Sequence, residues 1–144
     1  MAKSVTASQR RTIGGKNEMK TKVAVYCRVA AKDQIAIDCQ KTQLQNYINS
    51  HPGWDAGMVY TDVAPANRLA EGSDLARLLE DAAKGEFQRV AVLSVSRLAR
   101  DFVRLLQLIN TLKENGVTVD FLKEGISSDD IPVWEVSRWL GQAQ

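Results

Sequence analysis

Arg28 follows a short apolar run, Val23-Ala24-Val25-Tyr26-Cys27, and Ser96-Arg97-Leu98-Ala99-Arg100-Asp101 follows a second, Arg89 to Val95. A guanidinium is a planar, permanently charged fork whose N–H groups match phosphate oxygens. Arginines at two strand ends suggest a site that holds a phosphodiester and stabilises the charge that builds on its oxygens during attack. The residue best placed to attack, Ala30, ends in a methyl group. No lysine or metal constellation nearby suggests a replacement nucleophile. Taken singly, Arg28 reads as a surface strand end, and Arg97 or Arg100 as a partner of Asp101 or Asp62. Taken together on converging strand ends, they favour a phosphate site.

The elements that must position these residues are legible from periodicity. Order begins at Lys22, and the continuous apolar run after it suits a strand buried on both faces. Leu44, Tyr47 and Ile48 mark a helix from about Ile35 to Ser50, closed by His51-Pro52-Gly53. Trp54 to Tyr60 reads as a second strand. Thr61–Gly72, with Pro65, Asn67 and Gly72, lacks a period and reads as a long mobile loop. Ser73 caps a helix with Leu75, Leu78, Leu79 and Ala82 on one face, and Gly85 follows its end at Lys84. Arg89 to Val95 is the third strand. Asp101 opens a helix carrying Leu105, Leu108, Ile109 and Leu112, a stripe too short for a zipper, and Asn115-Gly116 closes it. Val117 to Leu122 is the fourth strand. Asp129-Asp130-Ile131-Pro132 reads as the start of a C-terminal helix whose Val133, Trp134, Val136, Trp139 and Leu140 need a surface to dock on.

Strands alternating with amphipathic helices imply an α/β three-layer sandwich, with a central mostly parallel sheet of four or five strands and helices on both faces. Ligands of such folds sit beyond the carboxyl ends of the strands, where Arg28 and the Ser96–Asp101 turn both lie. The chain divides into a disordered basic arm (1–21), a catalytic-type domain (22–128) and a truncated interface helix (129–144).

A length of 144 residues suits one domain with a real core, and a net charge of +2 means that any attraction for nucleic acid must be local. Cys27, inside the first strand, reads as a small buried hydrophobe, and two cysteines without a metal-binding pattern suit a reducing, cytoplasmic setting. No apolar run approaches the roughly 20 residues of a membrane span. Ser94 is read as pointing into the sheet and Ser96 as a turn cap, neither as a nucleophile. His51, the only histidine, is read as a turn residue without a partner.

Tyr26-Cys27-Arg28-Val29-Ala30-Ala31-Lys32-Asp33-Gln34 resembles the Y-x-R-V-S-T-x-x-Q motif of the serine recombinases (the resolvase/invertase family), and Ser96-Arg97-Leu98-Ala99-Arg100-Asp101 resembles their D-R-L-x-R-D. Gln40, Tyr60-Thr61-Asp62, Leu75-Ala76-Arg77-Leu78-Leu79 and Phe121-Leu122-Lys123-Glu124-Gly125-Ile126 also fall where members carry similar residues, so the resemblance spans about residues 22–140. It implies the N-terminal catalytic domain of a recombinase, in which a serine attacks the DNA backbone, strands are exchanged by subunit rotation and no metal or nucleotide cofactor takes part.

On this resemblance Arg28, Arg97 and Arg100 match catalytic arginines, Arg28, Gln34, Arg97 and Arg100 would meet the DNA phosphate, and Ala30 occupies the vacant nucleophile position. The acidic residue of D-R-L is Ser96, and Gly72 stands where the loop arginine is expected, with Arg68 out of register. The implied protein is a pseudoenzyme of DNA recombination, integration and mobile elements. It would bind DNA weakly and non-specifically when alone, and form homodimers or associate with active recombinase subunits. The alternative is a protein-interaction scaffold that kept the fold without the DNA function.

Overall fold

The structure is a computed structural model that describes residues 20–63 and 73–130. Strand β1 (Thr21–Val29) leads to helix α1 (Gln34–Asn49), strand β2 (Trp54–Val63) and helix α2 (Asp74–Ala83). Strand β3 (Arg89–Val92), a single turn of helix α3 (Val95–Leu98), helix α4 (Phe102–Glu114), strand β4 (Thr118–Phe121) and strand β5 (Ile126–Ser127) follow, and a 3-10 turn covers Ser128–Asp130. The sheet order is β2-β1-β3-β4-β5. The first four strands are parallel and β5 is antiparallel to β4. This is the expected mostly parallel α/β sandwich.

Alternation along the strands sorts the core onto two faces. Ala24, Tyr26, Val90, Val92, Val119 and Phe121 meet the leucine stripes of α2 and α4 on one side. Val23, Val25, Cys27 and Ala91 meet Leu44 and Ile48 of α1 on the other. Each fully buried leucine, such as Leu78 or Leu112, contributes about 1.5–3 kcal/mol. The stripe Leu105, Leu108, Ile109 and Leu112 is core, as its length implied. Gly85 and Gly116 sit just beyond their helices at φ +77°, a left-handed conformation that favours glycine.

The structure corrects several boundaries. β2 runs three residues past Tyr60, to Val63, because β1 continues beside it as far as the Val29–Val63 pair. Backbone pairing therefore claims the first residues of the expected loop, whose remainder (64–72) lies outside the described residues. β3 stops at Val92 rather than Val95, since its pairs with both neighbours end there. β4 is trimmed by one residue at each end, and the short β5 has too few residues to show a period. Asp129 and Asp130, the expected start of the C-terminal helix, close a 3-10 turn with Asp130 accepting from the Ser127 amide, and the rest of that helix (131–144) lies outside the described residues, as do residues 1–19 of the arm.

His51 has partners after all. Its ring stacks on Trp54 at 3.7 Å, and Nδ1 lies 2.9 Å from the Tyr47 carbonyl oxygen. Cys27 is fully buried and its thiol is pushed up to about 11, chiefly by burial and against the charge of Lys41, so it packs as an inert small hydrophobe.

Candidate functional site

The early end of β3 shapes the site. Among the described residues, β1 has no strand on its β3 side beyond Tyr26. Gln40 fills part of that gap from α1, on the same buried face as Leu44 and Ile48. Its Nε2 donates to the Arg28 carbonyl (3.1 Å) and its Oε1 accepts from the Arg28 amide (3.4 Å), so the side chain pairs with the backbone as a strand would. A glutamine on an otherwise apolar stripe was the sequence signal for this splint.

Arg28, only 2% exposed, turns its guanidinium toward α3. Nη2 donates to the Ser96 carbonyl (2.8 Å) and Nε to the Arg97 carbonyl (3.2 Å). Burial lowers the pKa of Arg28 from its ordinary value. Arg97 and Arg100 push it the same way, while Tyr26 and Asp62 oppose them. The like charges of Arg97 and Arg100 thus reach Arg28, and an anion beside them would offset that repulsion. Arg97 is half-buried and Arg100 exposed, so these two carry charge to solvent while Arg28 is buried. Ala30, exposed, lies just past the end of β1 at this edge. Gln34 starts α1, and its amide donates to Asp38 (2.9 Å).

Asp62 anchors the neighbouring strand end. It pairs in register with Arg28 and is 8% exposed. Its Oδ2 accepts from the Tyr26 hydroxyl (2.8 Å) and the Leu75 amide (2.9 Å), and its Oδ1 from the Asp74 amide (2.8 Å). Asp74 returns the contact by accepting from the Thr61 amide (2.9 Å). The end of β2 and the start of α2 are therefore clasped together, with carboxylates on a helix N-terminus where they are favoured. Burial, reinforced by Asp62, holds the Tyr26 phenol well above its ordinary value, so it remains a neutral donor. Tyr26 and Gln40 are the site residues that charge and motif reasoning left without a role, and Asp62 has another role than the arginine pairing considered for it.

Three sequence readings fail here. Arg28 is no surface strand end, because it is buried and its guanidinium donates to the carbonyls of Ser96 and Arg97. Asp62 and Asp101 are not the ion-pair partners of Arg97 and Arg100: Asp62 serves Tyr26 and α2, and Asp101 caps α4 at the Val103 amide. Ser96 does not cap the turn and Ser94 does not lie in a strand. Ser94 precedes α3 without a side-chain cap, Ser96 lies within it, and the Glu124 carboxylate accepts from the Val95 amide instead (3.2 Å).

Among the described residues no helix is long and apolar enough to cross a membrane. The sequence profile described as "Resolvase, N terminal domain" matches residues 23–132. The chain is 32% identical over 105 residues to the Transposon Tn3 resolvases of Escherichia coli and Klebsiella pneumoniae. That match takes in 72% of this chain but 51% of each resolvase, so the chain spans about half the length of these relatives. Among solved structures, the N-terminal catalytic domain of TP901-1 integrase superposes with a TM-score of 0.69 and 26% identity, over 85% of this chain and 92% of that one. A resolvase family site-specific recombinase from Streptococcus pneumoniae shares the fold, with a TM-score of 0.69 at 22% identity over 86% of this chain and 88% of that one. A profile matched over most of the sequence, on this sheet and with this identity to known resolvases, makes the chain a member of the serine recombinase family through its resolvase N-terminal domain.

Proposed function

We propose that residues 22–128 form a recombinase-type domain that grips a DNA phosphate without cutting it. Arg97 and Arg100 face the phosphate, and Arg28 supplies a fixed buried charge behind them. The observation that carries this reading is that the turn bearing Arg97 and Arg100 is tied through Arg28 to a strand end whose next exposed residue is Ala30. A methyl group supplies no oxygen for a phosphoserine bond, and loss of a nucleophile costs on the order of 10⁶ in rate in a well-studied hydrolase. The chain is accordingly a pseudoenzyme without a cofactor, acting in the cytoplasm. Alone it binds DNA weakly and without sequence preference. Association with a second copy or with active recombinase subunits would let it occupy a site that an active subunit needs.

A protein-interaction scaffold is the second reading. It is favoured by one observation, that Arg28 spends hydrogen bonds on the carbonyls of Ser96 and Arg97. Fluorescence anisotropy of a short labelled duplex, at low and moderate salt, separates the two. Salt-sensitive binding that Arg97→Ala/Arg100→Ala abolishes supports the phosphate grip. Binding indifferent to that change, or no binding at low salt, leaves the scaffold. The same samples run in denaturing detergent should show no covalent protein–DNA band.

A further inference from the structure

Ser94 and Ser96 place their hydroxyl oxygens 3.1 Å apart, on the same turn of chain that bears Arg97. Ser94 is 8% exposed, whereas Ser96 is open to solvent. In a pair of hydroxyls only one hydrogen can lie between the two oxygens. Either hydroxyl can supply it. Donation from the buried Ser94, which has less access to water, would leave the Ser96 hydrogen free to point outward. The Ser96 carbonyl of the same residue receives the Arg28 guanidinium at 2.8 Å, which fixes the backbone from which this hydroxyl projects.

We propose that Ser96 is a neutral hydrogen-bond donor to the phosphate held by Arg97 and Arg100, oriented by Ser94. This rests on the phosphate-gripping reading and adds a neutral contact to it. A hydroxyl adds affinity for the phosphate oxygens without bringing negative charge close to them. It leaves the salt dependence, which counts charges, unchanged. A carboxylate at the same position would repel the phosphate and neutralise part of the arginine field.

The test uses the full chain and a labelled duplex, read by anisotropy across a salt series, with thermal midpoints for every variant. Ser96→Ala should weaken binding about tenfold with the same salt slope, since a hydrogen bond to a charged group is lost. Ser96→Thr, which keeps the hydroxyl, should bind within about twofold of the parent. Ser96→Asp should weaken binding by at least as much as alanine and flatten the salt slope by about one charge equivalent. Ser96→Ala or Ser96→Asp binding like the parent, while Arg97→Ala/Arg100→Ala still abolishes binding, overturns the role of Ser96 and leaves the arginine grip standing. Parent-like binding by the arginine double variant overturns both.

Discussion

Replacing Asp62 by asparagine changes one heavy atom and should cost this fold about 1.3–4 kcal/mol. The two oxygens are not equivalent: Oδ1 accepts from the Asp74 amide, while Oδ2 accepts from both the Leu75 amide and the Tyr26 hydroxyl. An asparagine amide must put an NH₂ at one of these positions. At Oδ1 it faces the Asp74 N–H, and at Oδ2 it faces the Leu75 N–H, although the Tyr26 hydroxyl could there rotate to accept. Either orientation orphans one backbone donor at the start of α2, at about 1–3 kcal/mol. Loss of the formal charge at the helix N-terminus adds about 0.3–1 kcal/mol. Tyr26→Phe removes one donor but leaves both amides bonded, so it should cost only about 1 kcal/mol. Urea denaturation at 25 °C and pH 7, fitted with a common slope, measures both. Asp62→Asn within about 1 kcal/mol of the parent, or Tyr26→Phe costing more than Asp62→Asn, would refute the clasp as the reason Asp62 is buried.

Arg28→Lys should destabilise by about 1–3 kcal/mol in the same assay, because a single ammonium cannot reproduce the fork on the Ser96 and Arg97 carbonyls; a neutral result would show that charge alone suffices there. Burial raises the Cys27 thiol from 9.0 to about 11, so the unfolded chain releases this proton first. The stability held by the neutral thiol is therefore whole below pH 9 and lost as the pH rises through 11, about 3 kcal/mol in all. Cys27→Val should flatten that part of the stability–pH curve, and an unchanged curve would assign the alkaline loss elsewhere. Arg89 pairs with Asp120 at 2.7 Å, and the Asp120 side chain is 4% exposed. Arg89→Leu should cost about 3 kcal/mol by leaving that carboxylate with the Tyr47 hydroxyl (3.1 Å) but no counter-charge, and adding Asp120→Leu should recover a large part; a double variant no better than the single one would show that packing, not charge, dominates.

Much of the frame was readable because its determinants are local. Apolar runs and leucine stripes reveal strands and helices through side-chain period, and Ser73, Asp101, Gly85 and Gly116 mark helix ends through their own backbone chemistry. The reading faltered where pairing rather than side-chain type decides. Val95 belongs to a valine-rich run yet lies in α3, because β3 pairs with its neighbours only as far as Val92. Thr61 to Val63 look like loop yet extend β2, because β1 runs beside them.

The sequence by itself determined the family motifs, the order of elements, the arginines at the sheet's carboxyl edge and the methyl group at position 30. All of these are properties of residues and their immediate neighbours. Only the tertiary structure decided how the groups are used: Arg28 buried against two carbonyls, Gln40 standing in for a missing strand, Asp62 clasping Tyr26 to α2, and Ser94 paired with Ser96. Each of those depends on which donor meets which acceptor across segments distant in the chain. Burial then decides the outcome, because a polar group removed from water must find its partner within the fold.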